Sequence, residues 1–505
     1  MAKYSFYRRT LLTIGAVLIS TGIGIGTLGN LSHKSYLASL VVAVVLAVAL
    51  ALIRKHCSGV FNCLEHFNPV VVCAVISVGS LLLNGAWVFH FHPVQAPDYQ
   101  TFYEAAVNLS EGVTLKNRDY IAMFPHILGY VVFLSISLRL FGQSLMTAAV
   151  GNVLLTTASG ILIYALSLRW TGRRTAAAFA CLLWAICPSK LLYNTMALSE
   201  PYYTFLLLLF LLLTSLVFDR SHPYTLCNET ERSEDAQQQN NCTGQTVLRA
   251  ICLGLICGIV LALVNSARPI GIIPIIAVFI WRFILRGRNR HKVMRRASMT
   301  YLLVLLLAYV FAGHVWDSYA ARQLGQKPPS IPGYSIYVGF NPDTQGSYSD
   351  EDMELLQSRY FGEYDRNAEA TQQSMLESAK SRIQETKSSI PSLMVHKLGT
   401  LLGHDEGGAF YSSESLSGRA YALWCISSNI WYYFVCILAV AGCLKLWKDK
   451  RSDSLWLVPL CLAGVILAQL LVEVAARYHY CLIPMLLLMA ALSFPMKKPG
   501  SSAAR

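Results

Sequence analysis

Apolar runs long enough to cross a bilayer constrain this chain more than any other feature of its sequence. Stretches such as SYLASLVVAVVLAVALALI, FLLLLFLLLTSLVF and YLLVLLLAYVFAGHVW approach or reach the roughly 20 residues that carry an α-helix through a hydrocarbon core. In lipid each backbone N–H and C=O needs an internal partner, so helices are the spanning element these runs predict. Charged residues make up only 14% of the 505 positions, where a soluble chain would carry roughly 25%. The sequence thus predicts an all-α, polytopic transmembrane bundle. Apolar crossings are expected near 10–30, 35–53, 69–91, 144–168, 175–193, 201–218, 247–266, 269–285, 298–316, 420–444, 454–472 and 478–495, about twelve in all.

Orientation follows from the cations. The net charge of +13 sits in short clusters between apolar runs, among them RWTGRR, RGRNRHKVMRR and KLWKDKR, and cytoplasmic loops attract Lys and Arg. This is a topogenic pattern, and no nucleic acid is implied as a partner. The segment MFPHILGYVVFLSISLRLF at 123–141 looks like a further crossing. Counting it as one would export the later basic loops, so it is expected to be re-entrant or surface-lying. Both termini are then cytoplasmic, and the first helix is expected to be uncleaved because no small-residue cleavage pattern follows it.

Four regions result: N-terminal transmembrane helices at 1–68, a core module at 69–316 with an outer loop at 92–143, an extracytoplasmic loop or small helical domain at 317–419, and C-terminal helices with a cytoplasmic tail at 420–505. A loop of about 100 residues more often forms a lid or small domain than a connector. Residues 219–246 are polar and read as a cytoplasmic linker, which would keep the sequons at Asn228 and Asn241 from glycosylation. Of 14 cysteines, ten lie in or beside apolar helices, where Cys acts as a small hydrophobe, and Cys57, Cys63, Cys227 and Cys242 fall in inner loops. No disulfide framework or CxxC metal site is indicated. The GIGIG run contains Gly22 and Gly26 at the spacing that permits close helix packing.

The orientation places four polar residues at one outer surface. Asp98 follows the third crossing, Glu200 opens the sixth, Arg268 ends the seventh and Arg477 precedes the last. An acid and guanidinium groups at one face suit a reaction in which a carboxylate takes a hydroxyl proton and cations receive a departing phosphate. Each residue has a plainer reading. Asp98 after Pro97 is a natural cap or turn acid, and Glu200 after Ser199 is a first-turn acid. The arginines are natural headgroup anchors, and Arg477 is four residues from Glu473, the spacing of an intrahelical ion pair. Tyr99 suits an interfacial aromatic and Lys397, on the amphipathic SLMVHKLGTLLG, a surface anchor. Neither His90 with His92 nor the HDE run at 404–406 forms a metal site by spacing.

The patches APDYQTFYEA, FPHILGY with LRLFGQS, SARPIGIIP and EVAARYHYCLIP resemble the C-type glycosyltransferase superfamily, the integral-membrane enzymes that use polyprenyl-phosphate sugars. They look most like the bacterial relatives of protein O-mannosyltransferases and of the lipid A aminoarabinose transferase. The oligosaccharyltransferase signature WWDYG does not occur.

The resemblance implies transfer of a single sugar from an undecaprenyl-phosphate type donor to a hydroxyl of a glycan, lipid or protein acceptor. It makes Asp98 the general base, oriented by Tyr99, with Glu200 as a second acid that assists it or holds a divalent metal. It gives Arg268, Arg477, His479 and Lys397 contacts to the carrier phosphate. No cofactor is required for such a transfer, and nothing in the sequence supports a divalent metal. The implied location is a bacterial plasma membrane with the site facing outward, in cell-envelope glycosylation. A lipid-linked sugar transporter or flippase, binding phosphate with the same arginines but without chemistry, is the competing class.

Overall fold

A computed structural model describes residues 2–29, 34–218, 236–286, 292–448 and 453–495. Among these the regular structure is all helical, with no strand. The first three long helices are α1 (Ala2–Gly29), α2 (Lys34–His56) and α3 (Pro69–His90). There follow α4 (Pro97–Glu111), α5 (Arg118–Met123), α6 (Ile127–Phe141), α7 (Leu145–Thr171), α8 (Arg174–Ala185), α9 (Pro188–Tyr193) and α10 (Glu200–Phe218). The middle of the chain forms α11 (Ala236–Ala267), α12 (Ile272–Ile280) and α13 (Lys292–Leu324). The last part comprises α14 (Gly333–Gly339), α15 (Asp350–Ser358), α16 (Ala368–Glu385), α17 (Ile390–Leu402), α18 (Gly418–Leu446), α19 (Leu457–Leu470) and α20 (Leu482–Ala491).

Eight of the described helices are long and apolar enough to cross a membrane: α1, α2, α3, α7, α10, α11, α13 and α18. The predicted crossings at 175–193, 269–285, 454–472 and 478–495 are instead shorter helices of 10–17 residues. The first is interrupted because Pro188 has no N–H to continue α8, so the chain breaks at Ile186 and restarts as α9. Helix α11 begins at Ala236, inside the stretch expected to be a linker, whereas Asn228 and Cys227 lie outside the described residues, as do the side chains of Asn241 and Cys242. Central and peripheral helices differ in burial. Helix α10 is largely enclosed, while α2 and α3 turn Val41, Val45, Val70 and Leu82 outward, a face that suits lipid.

The bundle has two chemically distinct ends. At one, Arg54 and Lys445 both donate to the Ser493 carbonyl, Arg8 donates to Leu285 O, Arg286 to Phe218 O and Arg174 to Glu65 O. Arg8 and Ser493, near the two chain ends, therefore share the basic end. Helix α3 starts beside this end, after Asn68 caps it by accepting from Val70 N–H, and its 22 residues rise about 33 Å to the other. Asp98, Glu200 and Arg268 lie at that second end.

Helix α6 belongs wholly to the second end. Gly129, near its start, packs on the Ser266 backbone where α11 finishes, and Gln143, just past its end, donates to Ser110 of α4. Both ends of the helix thus lie at the second end of the bundle. The long segment after α13 folds as a helical unit whose own small core joins Tyr334, Val338, Leu356, Tyr360 and Met375 to Ala122 and Met123 of α5.

The paired glycines of α1 dock it on α17. A Cβ on Gly26 would stand 2.5 Å from Gly403 Cα and one on Gly22 2.6 Å from Leu402 Cβ, whereas Gly24 faces open space. Gly26→Leu is expected to cost about 1–3 kcal/mol of stability by forcing the helices apart. Gly24→Ala should be neutral, a contrast readable from thermal unfolding in detergent.

Candidate functional site

The second end of the bundle holds a chain of alternating acids and guanidiniums. Asp98 sits in the first turn of α4, but no side chain caps that helix, whose N-cap position is Ala96. Its carboxylate is directed elsewhere: Arg477 Nη2 donates to Asp98 Oδ2 at 2.8 Å, and Tyr120 of α5 lies 3.4 Å from Oδ1. Arg477 Nε stands 4.0 Å from Glu200 Oε1, and Arg268 Nη2 donates to the same oxygen at 2.8 Å. The order Asp98, Arg477, Glu200, Arg268 thus joins α4, the turn before α20, α10 and the end of α11.

Aromatic rings wall the chain in. Tyr99 is fully buried, its hydroxyl accepts from Arg477 Nη1 at 3.3 Å, and its ring meets Tyr411 edge-on. Arg268 lies 4.6 Å over the Tyr478 ring. Burial disfavours the Arg477 cation, but Tyr99, Tyr411, Tyr478 and Asp98 around it raise its pKa on balance. Exposure is unequal along the chain: Glu200 is 1% exposed and Arg477 11%, whereas Asp98 is 40% exposed. The one open member is a carboxylate.

The pairing of Arg477 with Glu473 in one helix does not form. Residues 473–475 are irregular and the helical turn begins only at Ala476, so a spacing of four no longer stacks two side chains. Arg477 is released to reach Asp98.

Two residues that the sequence placed with the carrier phosphate lie apart from this chain. His479 Nε2 is 3.0 Å from Asp405 Oδ1, its ring stacks on Tyr432, and Ser189 Oγ donates to the other oxygen of Asp405 at 2.6 Å. Lys397 Nζ donates to the carbonyls of Gly339, Leu470 and Val472 at 2.8, 2.9 and 2.6 Å, which uses the three donors an ammonium has. Lys397 is buried and ties α17 to the segment leading to Arg477. The HDE run is likewise internal, with Glu406 accepting from Tyr36 and Asn429. No group of His, Cys, Asp and Glu that could hold a metal ion occurs among the described residues.

One group that sequence reasoning passed over is His126, in the FPHILGY segment. Its imidazole is influenced by Asp98, Arg268 and Arg477, and it lines a cavity of about 200 Å³ together with Phe124, Ser266, Trp316, Asp317 and Ser335. Burial, with the two guanidiniums adding, pushes the His126 pKa down to about 3 from 6.5. The folded protein thus holds a neutral imidazole that the unfolded chain protonates first. Its contribution to stability is present above pH 6.5 and is lost as pH falls from there toward about 3. The thermal midpoint of the wild type is therefore expected to fall on acidification through that window, and that of His126→Asn to fall less.

These features define a polytopic helical membrane protein with a partly open acid and guanidinium chain at one end. No protein-family model and no curated protein matches the sequence. Among solved structures, it is similar to an oligosaccharyltransferase from Archaeoglobus fulgidus tethered to an acceptor peptide. The identity is 12% and the TM-score 0.41, over 83% of this chain and 49% of that one. The archaeal oligosaccharyltransferase AglB from Archaeoglobus fulgidus, in complex with an inhibitory peptide and a dolichol-phosphate, gives 15% identity and a TM-score of 0.32. That overlay covers 86% of this chain and 56% of the other. The chain spans about half the length of these structures, and at such scores neither likeness carries an argument about it.

Proposed function

We propose that the protein is a membrane glycosyltransferase of the C-type class, transferring one sugar from a polyprenyl-phosphate donor to an acceptor hydroxyl. The observation that carries this reading is the inequality within the ionic chain: the open carboxylate of Asp98 is held by a guanidinium whose other acid, Glu200, is buried. A phosphodiester carrier entering beside Arg477 competes with Asp98 for that guanidinium. Asp98 is then free to accept the proton of the acceptor hydroxyl.

The acceptor oxygen attacks the anomeric carbon as the bond from that carbon to the phosphate oxygen breaks. The electron pair leaves with polyprenyl phosphate, whose second charge develops beside Arg477 and Arg268. A single displacement of this kind inverts the anomeric centre. Glu200 takes the role of fixing Arg268, and Tyr99 that of holding Arg477. Trp316, Ser335 and His126 border the space through which the acceptor approaches. The site faces away from the cytoplasm in this reading, because the cations that stay inside collect at the other end of the bundle.

The test uses purified protein in nanodiscs with radiolabelled polyprenyl-phosphate sugars of several hexoses and pentoses, with release of polyprenyl phosphate as the readout. Turnover that needs an added hydroxyl acceptor supports the reading. Movement of intact donor across a sealed vesicle without turnover points to a transporter and sinks it.

A further inference from the structure

The lining of the cavity beside His126 falls into two parts. One part is spent on holding the wall. Gln372 accepts from Tyr334 N–H at 2.8 Å and donates to Met123 O at 3.0 Å, and Ser330 donates through its N–H and its Oγ to Glu369 at 2.7 and 2.6 Å. Pro328, Pro329 and Pro332 fix the backbone along the same stretch, since each ring locks its own φ. The other part is unspent. His126, Trp316, Asp317 and Ser335 line the cavity, yet their side chains make no hydrogen bond or ion pair among the described residues. Asn265 uses only its oxygen, which accepts from Gly271 N–H at 3.3 Å. A fixed wall that carries open polar groups has the character of a preformed binding site.

Two connections tie this space to the ionic chain. Phe124, in the lining, has its ring 5.0 Å from that of Tyr120, whose hydroxyl lies 3.4 Å from Asp98 Oδ1. Asn265 and Ser266, also in the lining, stand in the last turn of α11 just before Arg268.

The chemistry of the open groups selects the ligand. No Lys or Arg occurs among the described residues of the lining, and Asp317 adds a carboxylate, so an anion is disfavoured there. Asp317 only accepts, Trp316 Nε1 and the Asn265 amide donate, and the Ser335 hydroxyl and a neutral imidazole do both. Neighbouring hydroxyls, each a donor and an acceptor, match such a set, and Trp316 supplies an aromatic surface for the less polar side of a ring.

We propose that the cavity binds a neutral sugar ring of the acceptor, stacked on Trp316 and held through its hydroxyls by Asp317 and Asn265, so that the hydroxyl to be glycosylated belongs to a carbohydrate. The inference rests on the glycosyltransferase reading, which by itself leaves glycan, lipid and protein acceptors open.

The test is saturation-transfer NMR on the full-length protein in nanodiscs, with the methyl glycosides of glucose, galactose, mannose and N-acetylglucosamine beside octanol and a serine-containing tripeptide. At least one glycoside is expected to receive saturation. Its affinity should fall about tenfold in Trp316→Ala and in Asp317→Ala, and Trp316→Phe should retain most of it. Asp317 is exposed, so Asp317→Ala should keep the wild-type thermal midpoint, and its loss of binding then reports on the cavity rather than on folding. Saturation of no glycoside overturns the inference, whether or not the peptide or the alcohol receives it, and so does glycoside binding that is unchanged in both alanine variants. Displacement of the glycoside by a polyprenyl-phosphate sugar but not by polyprenyl phosphate assigns the cavity to the donor's sugar and overturns the acceptor role. Binding is read here without turnover, so each of these failures is distinct from failure of the glycosyltransferase reading, which release of polyprenyl phosphate decides.

Discussion

The Asp98→Asn protein is expected to fold, to bind donor and to lose transfer by about 10²- to 10⁴-fold, the range set by removing a positioned base. Asparagine keeps a carbonyl oxygen to accept from Arg477 where Oδ2 stands, and its amide N–H can donate to the Tyr120 hydroxyl oxygen where Oδ1 stands, so the geometry around it is preserved. What disappears is the capacity to accept a proton. Asp98→Glu should retain a few per cent or less, because an added methylene moves the oxygens by roughly 1 Å, a displacement of the size that costs about 100-fold. The comparison variant is Glu363→Gln, an exposed acid of the helical unit after α13, which should be indistinguishable from wild type. Release of polyprenyl phosphate from radiolabelled donor measures all three. An Asp98→Asn protein that turns over at the wild-type rate removes Asp98 as the base.

Arg477→Met carries the second large effect, and it combines binding with stability. Loss of the guanidinium leaves Asp98 unpaired and takes from Glu200 one of its two cations. Removing one partner of a buried ion pair costs about 3–5 kcal/mol, and here the lower end is expected because Asp98 is partly open to solvent. Donor affinity should fall by about 100-fold, as expected of losing a charge-assisted phosphate contact worth roughly 1.5–3 kcal/mol. Arg477→Lys restores charge but not the fork that meets Asp98 and Tyr99 together, and should sit between the two. The double variant Asp98→Asn with Arg477→Met should be more stable than Arg477→Met alone, since the unpaired acid is gone. Thermal unfolding and donor titration read these effects separately. Equal donor affinity in Arg477→Met and wild type sinks the phosphate role.

Much of the architecture was legible because hydropathy and charge are one-dimensional. Long apolar segments betray themselves by length, and RWTGRR and its kin predict which ends share a side, which is why α6 is expected not to cross. The strength of Pro188 as a helix breaker was visible in principle, yet the apolar residues around it masked the break between α8 and α9. Around the site, Asp98, Tyr99, Glu200, Arg268 and Arg477 do come together in space. His479 and Lys397 have the composition of headgroup contacts, yet one faces Asp405 and the other three backbone carbonyls. A run of sequence does not tell which way a side chain turns about the helix axis. Glu473 was read through a helical spacing that the chain abandons at residues 471–475. His126 lay inside a quoted motif with no charge partner near it in sequence.

By itself, then, the order of residues determined a helical membrane protein and the shared end of the bundle at which Asp98, Glu200, Arg268 and Arg477 lie. Burial in a bilayer depends on local composition, so each segment reports its own depth. Which acid meets which cation was decided only when α4, α10, α11 and the turn before α20 packed together. That choice depends on rotation and lateral order, and those are set by contacts between residues up to 379 positions apart.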